Sequence, residues 1–196
     1  MPSIRALAEP KSVAALPLLT LFLALLAGPA LSAEPGRDPG QHFFNQTFGD
    51  FSEELETARD EGKTGILLMF EMDECPFCHR MKTNVLNQPE VQDYFRDHFL
   101  IFPVDVEGDV EVVDFAGNPA TQKEFALKQF RVRATPVFAF FDLDGNMVAR
   151  YTGATGDSAE FMQLGQYVVD GEYKETTFTK YKRAERDADE QATSTQ

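Results

Sequence analysis

The sequence predicts an α/β fold, a three-layer sandwich whose mixed β-sheet ends in a C-terminal antiparallel hairpin and is flanked by helices. Three observations carry that expectation. Ile66-Leu67-Leu68-Met69-Phe70 and Val137-Phe138-Ala139-Phe140-Phe141 are continuous apolar runs of strand length, as central strands buried on both faces require. Segments of helical periodicity alternate with strands through the first half of the chain, which favours parallel pairing under a helical cover. Asp144-Gly145, between Phe141 and Met147, is a tight-turn dipeptide that folds the last two strands into a hairpin.

Residues 1–33 read as a secretory signal. Arg5 and Lys11 give a basic start, Val13–Leu26 an apolar stretch and Gly28-Pro29 a helix break, and Ala30, Ser32 and Ala33 offer a cleavage site. As a membrane anchor the segment is poor, because Pro17 and Gly28-Pro29 interrupt a span that needs about 20 apolar residues. No Cys lies near the cleavage region, which excludes lipid attachment there. The expected product starts near Glu34 and is periplasmic or secreted. Residues 34–41 read as a flexible leader, 42–183 as the folded domain, and 184–196, polar and without periodicity, as a disordered tail.

Along the domain, Asp50 caps a helix from about Phe51 to Glu61, with Glu53 three residues on and Phe51, Leu55 and Ala58 on one apolar face. Gly62-Lys63-Thr64-Gly65 ends it ahead of the first strand. Cys75 and Cys78 open the next helix, which turns Met81 and Val85 inward. Asn87, Pro89 and Glu90 then restart a helical segment with Val91 and Phe95 facing the core. Phe99–Val106 is the next strand, and Pro103, lacking a donor, places it near a sheet edge. Glu107–Asn118 is acidic, carries two glycines, and reads as an insertion whose Val110, Val112, Val113 and Phe115 indicate packing. Ala120–Phe130 is expected to be helical. Thr135-Pro136 leads into the strand at Val137, Met147–Tyr151 completes the hairpin, and a last helix over about Ser158–Val169 presents Phe161, Leu164 and Val168.

The chain carries 18 Lys and Arg against 32 Asp and Glu, a net charge of −14, and the loss of Arg5, Lys11 and Glu9 makes it more negative still. Nucleic acid is thereby excluded as a partner, since it needs clustered cations against phosphate. The acidity supplies solubility and, more sharply, a preference for neutral or basic partner proteins. The two cysteines lie in a single Cys-x-x-Cys. A bond across two intervening residues closes almost no loop and adds little stability through chain entropy, so its value is chemical.

A cysteine at a helix start sits among unpaired N–H groups and the positive end of the helix dipole, and both favour the reactive thiolate. Cys75, at the exposed tip, is the expected attacking sulfur; Cys78, one turn deeper, resolves the mixed disulfide. Pro76 suits the first turn because it has no N–H to leave unpaired. Glu71, Asp73 and Glu74 disfavour a thiolate, while His79, Arg80 and Lys82 favour it. Each contributes on the order of 1 kcal/mol at about 8 Å and an effective dielectric of about 40, and the two sets come close to cancelling.

Glu74-Cys-Pro-Phe-Cys-His-Arg-Met81, then Phe130-Arg-Val-Arg-Ala-Thr-Pro-Val137, and Asp144-Gly145 through Gly153 together resemble the thioredoxin superfamily. Within it the chain is most similar to exported thioredoxin-like proteins with a Cys-Pro-[Tyr/Phe]-Cys centre, including those associated with bacterial sulfur oxidation. The resemblance covers about residues 43–180. It implies a thiol–disulfide oxidoreductase with Cys75 and Cys78 as catalytic residues and no cofactor. It implies a cis Thr135–Pro136 bond lying against the cysteines, with the Thr135 backbone, Pro136, Pro76 and Phe77 meeting substrate. It further implies protein disulfide partners and, for a reductant in an oxidising compartment, recharging by a membrane-bound thiol donor. Reductant, oxidant and isomerase share this order of residues; the resemblance favours the reductant. Two departures stand out: Glu74 replaces the Trp that usually precedes the first Cys, and Met69 stands where many thioredoxins bury an Asp, with Glu71 as a candidate substitute.

Two rival classes use the same residues. Cys75-Pro-Phe-Cys78-His79 matches the attachment site of a c-type haem, with Met147 or Met162 as distal candidates for an electron-transfer protein. A redox-inactive binding module is the other. Structural zinc is disfavoured, because it normally takes four ligands and His42 and His98 lie in segments separate from the cysteines.

Overall fold

The computed structural model describes residues 35–194; the secretory signal expected at 1–33 lies outside them. Helices α1 (Pro39–His42) and α2 (Phe51–Asp60) precede strand β1 (Gly65–Glu71), and α3 (Pro76–Asn84) and α4 (Pro89–His98) lead to β2 (Phe99–Asp105). A ribbon of β3 (Glu111–Val113) and β4 (Pro119–Thr121) runs into α5 (Gln122–Glu124), which continues as a π-helical turn, Phe125–Gln129. Strands β5 (Val137–Phe141) and β6 (Met147–Thr152), helix α6 (Ser158–Val169) and helix α7 (Phe178–Ser194) complete the order. The main sheet runs β2-β1-β5-β6, with β1 and β2 parallel and the other pairs antiparallel. The mixed α/β architecture is the one the sequence predicts.

Alternation along the strands divides the core into two layers. Leu67 and Met69, Phe99 and Ile101, and Phe138 and Phe140 face one side, with α3, α4 and α6. Ile66, Leu68 and Phe70, Leu100, Phe102 and Val104, and Val137, Ala139 and Phe141 face the other, with α2 and the 125–129 turn. Phenylalanine fills both. Phe95 stacks on Phe161 at 4.4 Å between ring centroids, and Phe51 stacks on Phe125 at 5.1 Å; such pairs add about 0.5–1.5 kcal/mol each beyond their area.

Strand β2 lies at the sheet edge, where Pro103 fits because nothing needs its missing N–H. Its neighbours on that edge are closed by other means. The Phe99 N–H bonds back to Phe95, the Ile101 N–H to Asn45 Oδ1 at 2.9 Å, and the Asp105 N–H to Gln122 Oε1 at 2.6 Å.

Three segments differ from expectation. The leader is ordered: Asp38 caps α1 and the Arg37 N–H bonds to the Asn87 carbonyl. Residues 184–194 are helical rather than disordered, as the continuation of α7. The first turns of α7 pack Phe178 and Tyr181 on Tyr167, and Lys182 pairs with Glu160. Beyond them the helix needs no apolar face, because Ala, Glu and Arg are good helix formers and Arg186 lies one turn from Glu190. The insertion supplies β3, which pairs in the ribbon with β4 just beyond it, so helix begins at Gln122, not Ala120.

Asp114 organises that ribbon. It is 6% exposed and accepts bonds from the N–H groups of Ala116 and Asn118, at 2.9 and 2.8 Å, and from the Gln129 amide at 2.8 Å. Burial alone would raise its carboxyl, but the Asn118, Gln129 and Ala116 bonds hold it below the ordinary value of 3.8. A depressed folded value contributes stability that is present above the unfolded value and lost as pH falls through the folded one. Asp114→Asn should therefore lower unfolding stability by about 1–3 kcal/mol at neutral pH. In denaturant titrations across pH, the gap from the parent should close in the acid range below 3.8. A pH-independent gap would show that the charge plays no part.

Candidate active site

Strand β1 delivers the chain to the site. It ends at Glu71, and the turn that follows places Cys75 in extended conformation as the cap of α3, with Pro76 at the first helical position. Cys75 and Cys78 are disulfide-bonded, their Cα atoms 5.2 Å apart. The Cys75 sulfur accepts the Cys78 N–H at 3.0 Å and the Thr135 hydroxyl at 3.2 Å. Both donors favour negative charge on that sulfur once the bond is reduced.

Thr135 arrives from the loop that precedes β5, the antiparallel neighbour of β1. The Phe70–Val137 pairing sets the 133–136 loop at the end of β1 that leads to the cysteines. Thr135–Pro136 is cis, and the Pro136 carbonyl accepts the Gly153 N–H at 2.8 Å. Sequence reasoning assigned Thr135 through its backbone alone; the hydroxyl contact needed the fold to become visible.

Cys75 is not at an exposed tip. It is 6% exposed, against 3% for Cys78, because the 135 loop covers it. Pro76 and Phe77 are exposed beside it, Phe77 at 58%. A cleft of about 150 Å³ opens on both cysteines and is lined by Glu71, His79, Lys82 and Asp105 among others. It is below the roughly 300–1,000 Å³ of small-molecule pockets. Met147, a distal-ligand candidate for haem, pairs with Phe141 at the end of the hairpin away from Pro136; Met162 packs against the apolar core.

The local cations are mostly committed. Lys82 pairs with Glu71 at 2.6 Å, and Arg80 donates to the Thr155 and Gly156 carbonyls at 3.1 and 3.0 Å. Glu71 thus lines the cleft of the cysteines while engaged with Lys82. Met69, fully buried in the same cluster as both cysteines, leaves the position beneath them apolar.

A fold with this site is that of a redox-type domain, and comparison agrees. A thioredoxin-like domain model matches residues 51–169, and the chain belongs to the thioredoxin-like family. It is similar to a thioredoxin-fold protein from Helicobacter pylori, with 25% identity over 63% of this chain and 82% of that one, at a TM-score of 0.53. It is also similar in fold to a DsbH oxidoreductase, with 20% identity over 74% of this chain and 95% of that one, at a TM-score of 0.51. No curated protein matches it.

Proposed function

We propose that this protein is an exported thiol–disulfide oxidoreductase that reduces disulfides of partner proteins through Cys75 and Cys78. The observation that carries the proposal is the Cys75 sulfur held at a helix start between two donors, the Cys78 N–H and the Thr135 hydroxyl. In the reduced protein, the Cys75 thiolate attacks one sulfur of the partner's disulfide. A mixed disulfide forms, and the other partner sulfur leaves as a thiolate that takes up a proton. Cys78, giving up its own proton, then attacks the Cys75 sulfur, closing Cys75–Cys78 and releasing the second partner thiol. Two electrons have passed to the partner, and a membrane-bound thiol donor restores the dithiol. Pro76, Phe77, Thr135 and Pro136 form the surface that meets the partner chain. The finer kinship is with exported proteins of Cys-Pro-Phe-Cys centre, sulfur-oxidation types among them, and with it a periplasmic or secreted site of action.

The decisive test is stoichiometric reduction of a protein disulfide by the prereduced protein, followed by equilibration of the Cys75–Cys78 couple with glutathione. A reductant is expected near the roughly −270 mV of thioredoxin, and a value near about −120 mV would reverse the direction to oxidant. No reduction, together with a Soret band in the purified protein, would replace the proposal by the haem reading. For export, the native protein should begin near Glu34; retention of Val13–Leu26 would overturn signal removal.

A further inference from the structure

Beside the cysteine cleft lies a second groove of about 400 Å³, whose apolar lining includes Met72, Val106, Leu127 and Val132. Thr135 and Met72 join it to the redox site: Thr135 also touches the Cys75 sulfur, and Met72 also lines the cysteine cleft. Leu127 is 48% exposed there, an apolar surface with no cover. The backbone of Arg133, Ala134 and Thr135 makes no backbone hydrogen bond among the described residues, which leaves an edge for an extended chain.

The charges of this groove run against those of the whole chain. Lys123 and Arg133 line it, both exposed, and neither side chain has a hydrogen-bond or ion-pair partner among the described residues. Nearby cations are engaged: Lys128 with Glu124 at 2.7 Å, and Arg150 with the Phe130 carbonyl at 2.6 Å. Glu107 is the one carboxylate on the groove's lining. Arg131, exposed on the same loop, holds a left-handed backbone at φ 50° that a non-glycine residue rarely adopts. Two unpaired cations against one anion thus line the groove next to the cysteine cleft, in a chain with net charge −14.

We infer that this groove selects extended partner segments carrying an acidic residue beside the target disulfide, with an apolar side chain held on Met72, Leu127 and Val132. The inference rests on the oxidoreductase reading and names its substrate class. It modifies the expectation from net charge, under which neutral or basic partners are preferred. At a Debye length of about 8 Å in physiological salt the distant acidic surface is screened. Asp73 and Asp105 in the adjoining cysteine cleft are the nearby opposing carboxylates, and the preference rests on Lys123 and Arg133 outweighing them where the segment lies on the groove.

The test compares three peptides of one sequence and one internal disulfide, with Glu, Gln or Lys beside the cysteine that is attacked. Second-order rate constants for their reduction by the prereduced full protein should fall in the order Glu, Gln, Lys. The Glu-to-Lys ratio should be about tenfold at low ionic strength, equivalent to about 1.4 kcal/mol, and shrink in about 0.5 M salt as screening increases. The double variant Lys123→Glu/Arg133→Glu should invert the order, and Lys123→Gln/Arg133→Gln should flatten it. If all three peptides are reduced at equal rates, or if the variants keep the parent order, the inference fails and the oxidoreductase reading stands. If none is reduced, both fall.

Discussion

Cys75→Ser is expected to abolish reduction of protein disulfides, while Cys78→Ser keeps the first attack and accumulates mixed disulfides with partner proteins. The asymmetry does not come from exposure, since both sulfurs are nearly covered. It comes from hydrogen bonding. Cys75 caps the helix and receives two donors, whereas Cys78 sits within the first turn and supplies one of them through its own N–H. Those two donors are the reason to expect attack through the Cys75 sulfur. In the reduced parent, an alkylating reagent should modify Cys75 first. Nonreducing gels of the two variants should show partner adducts through Cys75 alone. Equal trapping by both, or adducts only through Cys78, would sink the assignment of roles.

Gly65→Ala should be the most destabilising conservative substitution in the sheet. A Cβ at that position would lie 1.9 Å from the Phe141 carbonyl oxygen, well inside any contact distance. The obstacle is backbone at the start of β1, the strand that pairs with both β2 and β5. No side-chain rotation relieves it; β1 and β5 must separate. Overpacking of well-packed interiors costs about 1–3 kcal/mol, and a clash with central backbone belongs at or above the top of that range. Chemical denaturation should show a loss of about 3 kcal/mol or more, with the slope unchanged. A loss within about 0.5 kcal/mol, the usual range for surface changes, would show that the strands part freely there.

The strands were legible because burial on both faces leaves an unbroken apolar run, and Ile66–Phe70 and Val137–Phe141 carry it without ambiguity. The helix caps Asp50 and Cys75 were legible because their chemistry is local. What sequence reasoning missed depends on distance along the chain. The Thr135 hydroxyl meets Cys75 across 60 positions, and no local pattern announces that contact. The β3–β4 ribbon hid because Asp114, its organising acceptor, reads as one more charge in an acidic stretch. Residues 184–194 misled for the opposite reason: a solvated helix needs no apolar period, so its absence says little. Lys123 and Arg133 had a faint signal. Arg133 stands two residues before Thr135 in an acidic chain, but only the fold brings Lys123 to the same groove.

The closed edge of β2 bears on how copies of this protein behave in company. An open strand edge recruits any extended chain, including a second copy of itself. Here each outward amide of β2 is occupied in turn, by Phe95, Asn45 and Gln122, and at Pro103 there is none to offer. Self-templated pairing through that flank is blocked at every other residue, whatever the concentration. The Arg133–Thr135 backbone, which makes no backbone hydrogen bond among the described residues, stays open to an extended chain. Resistance to self-pairing on that flank follows from one piece of hydrogen-bond placement.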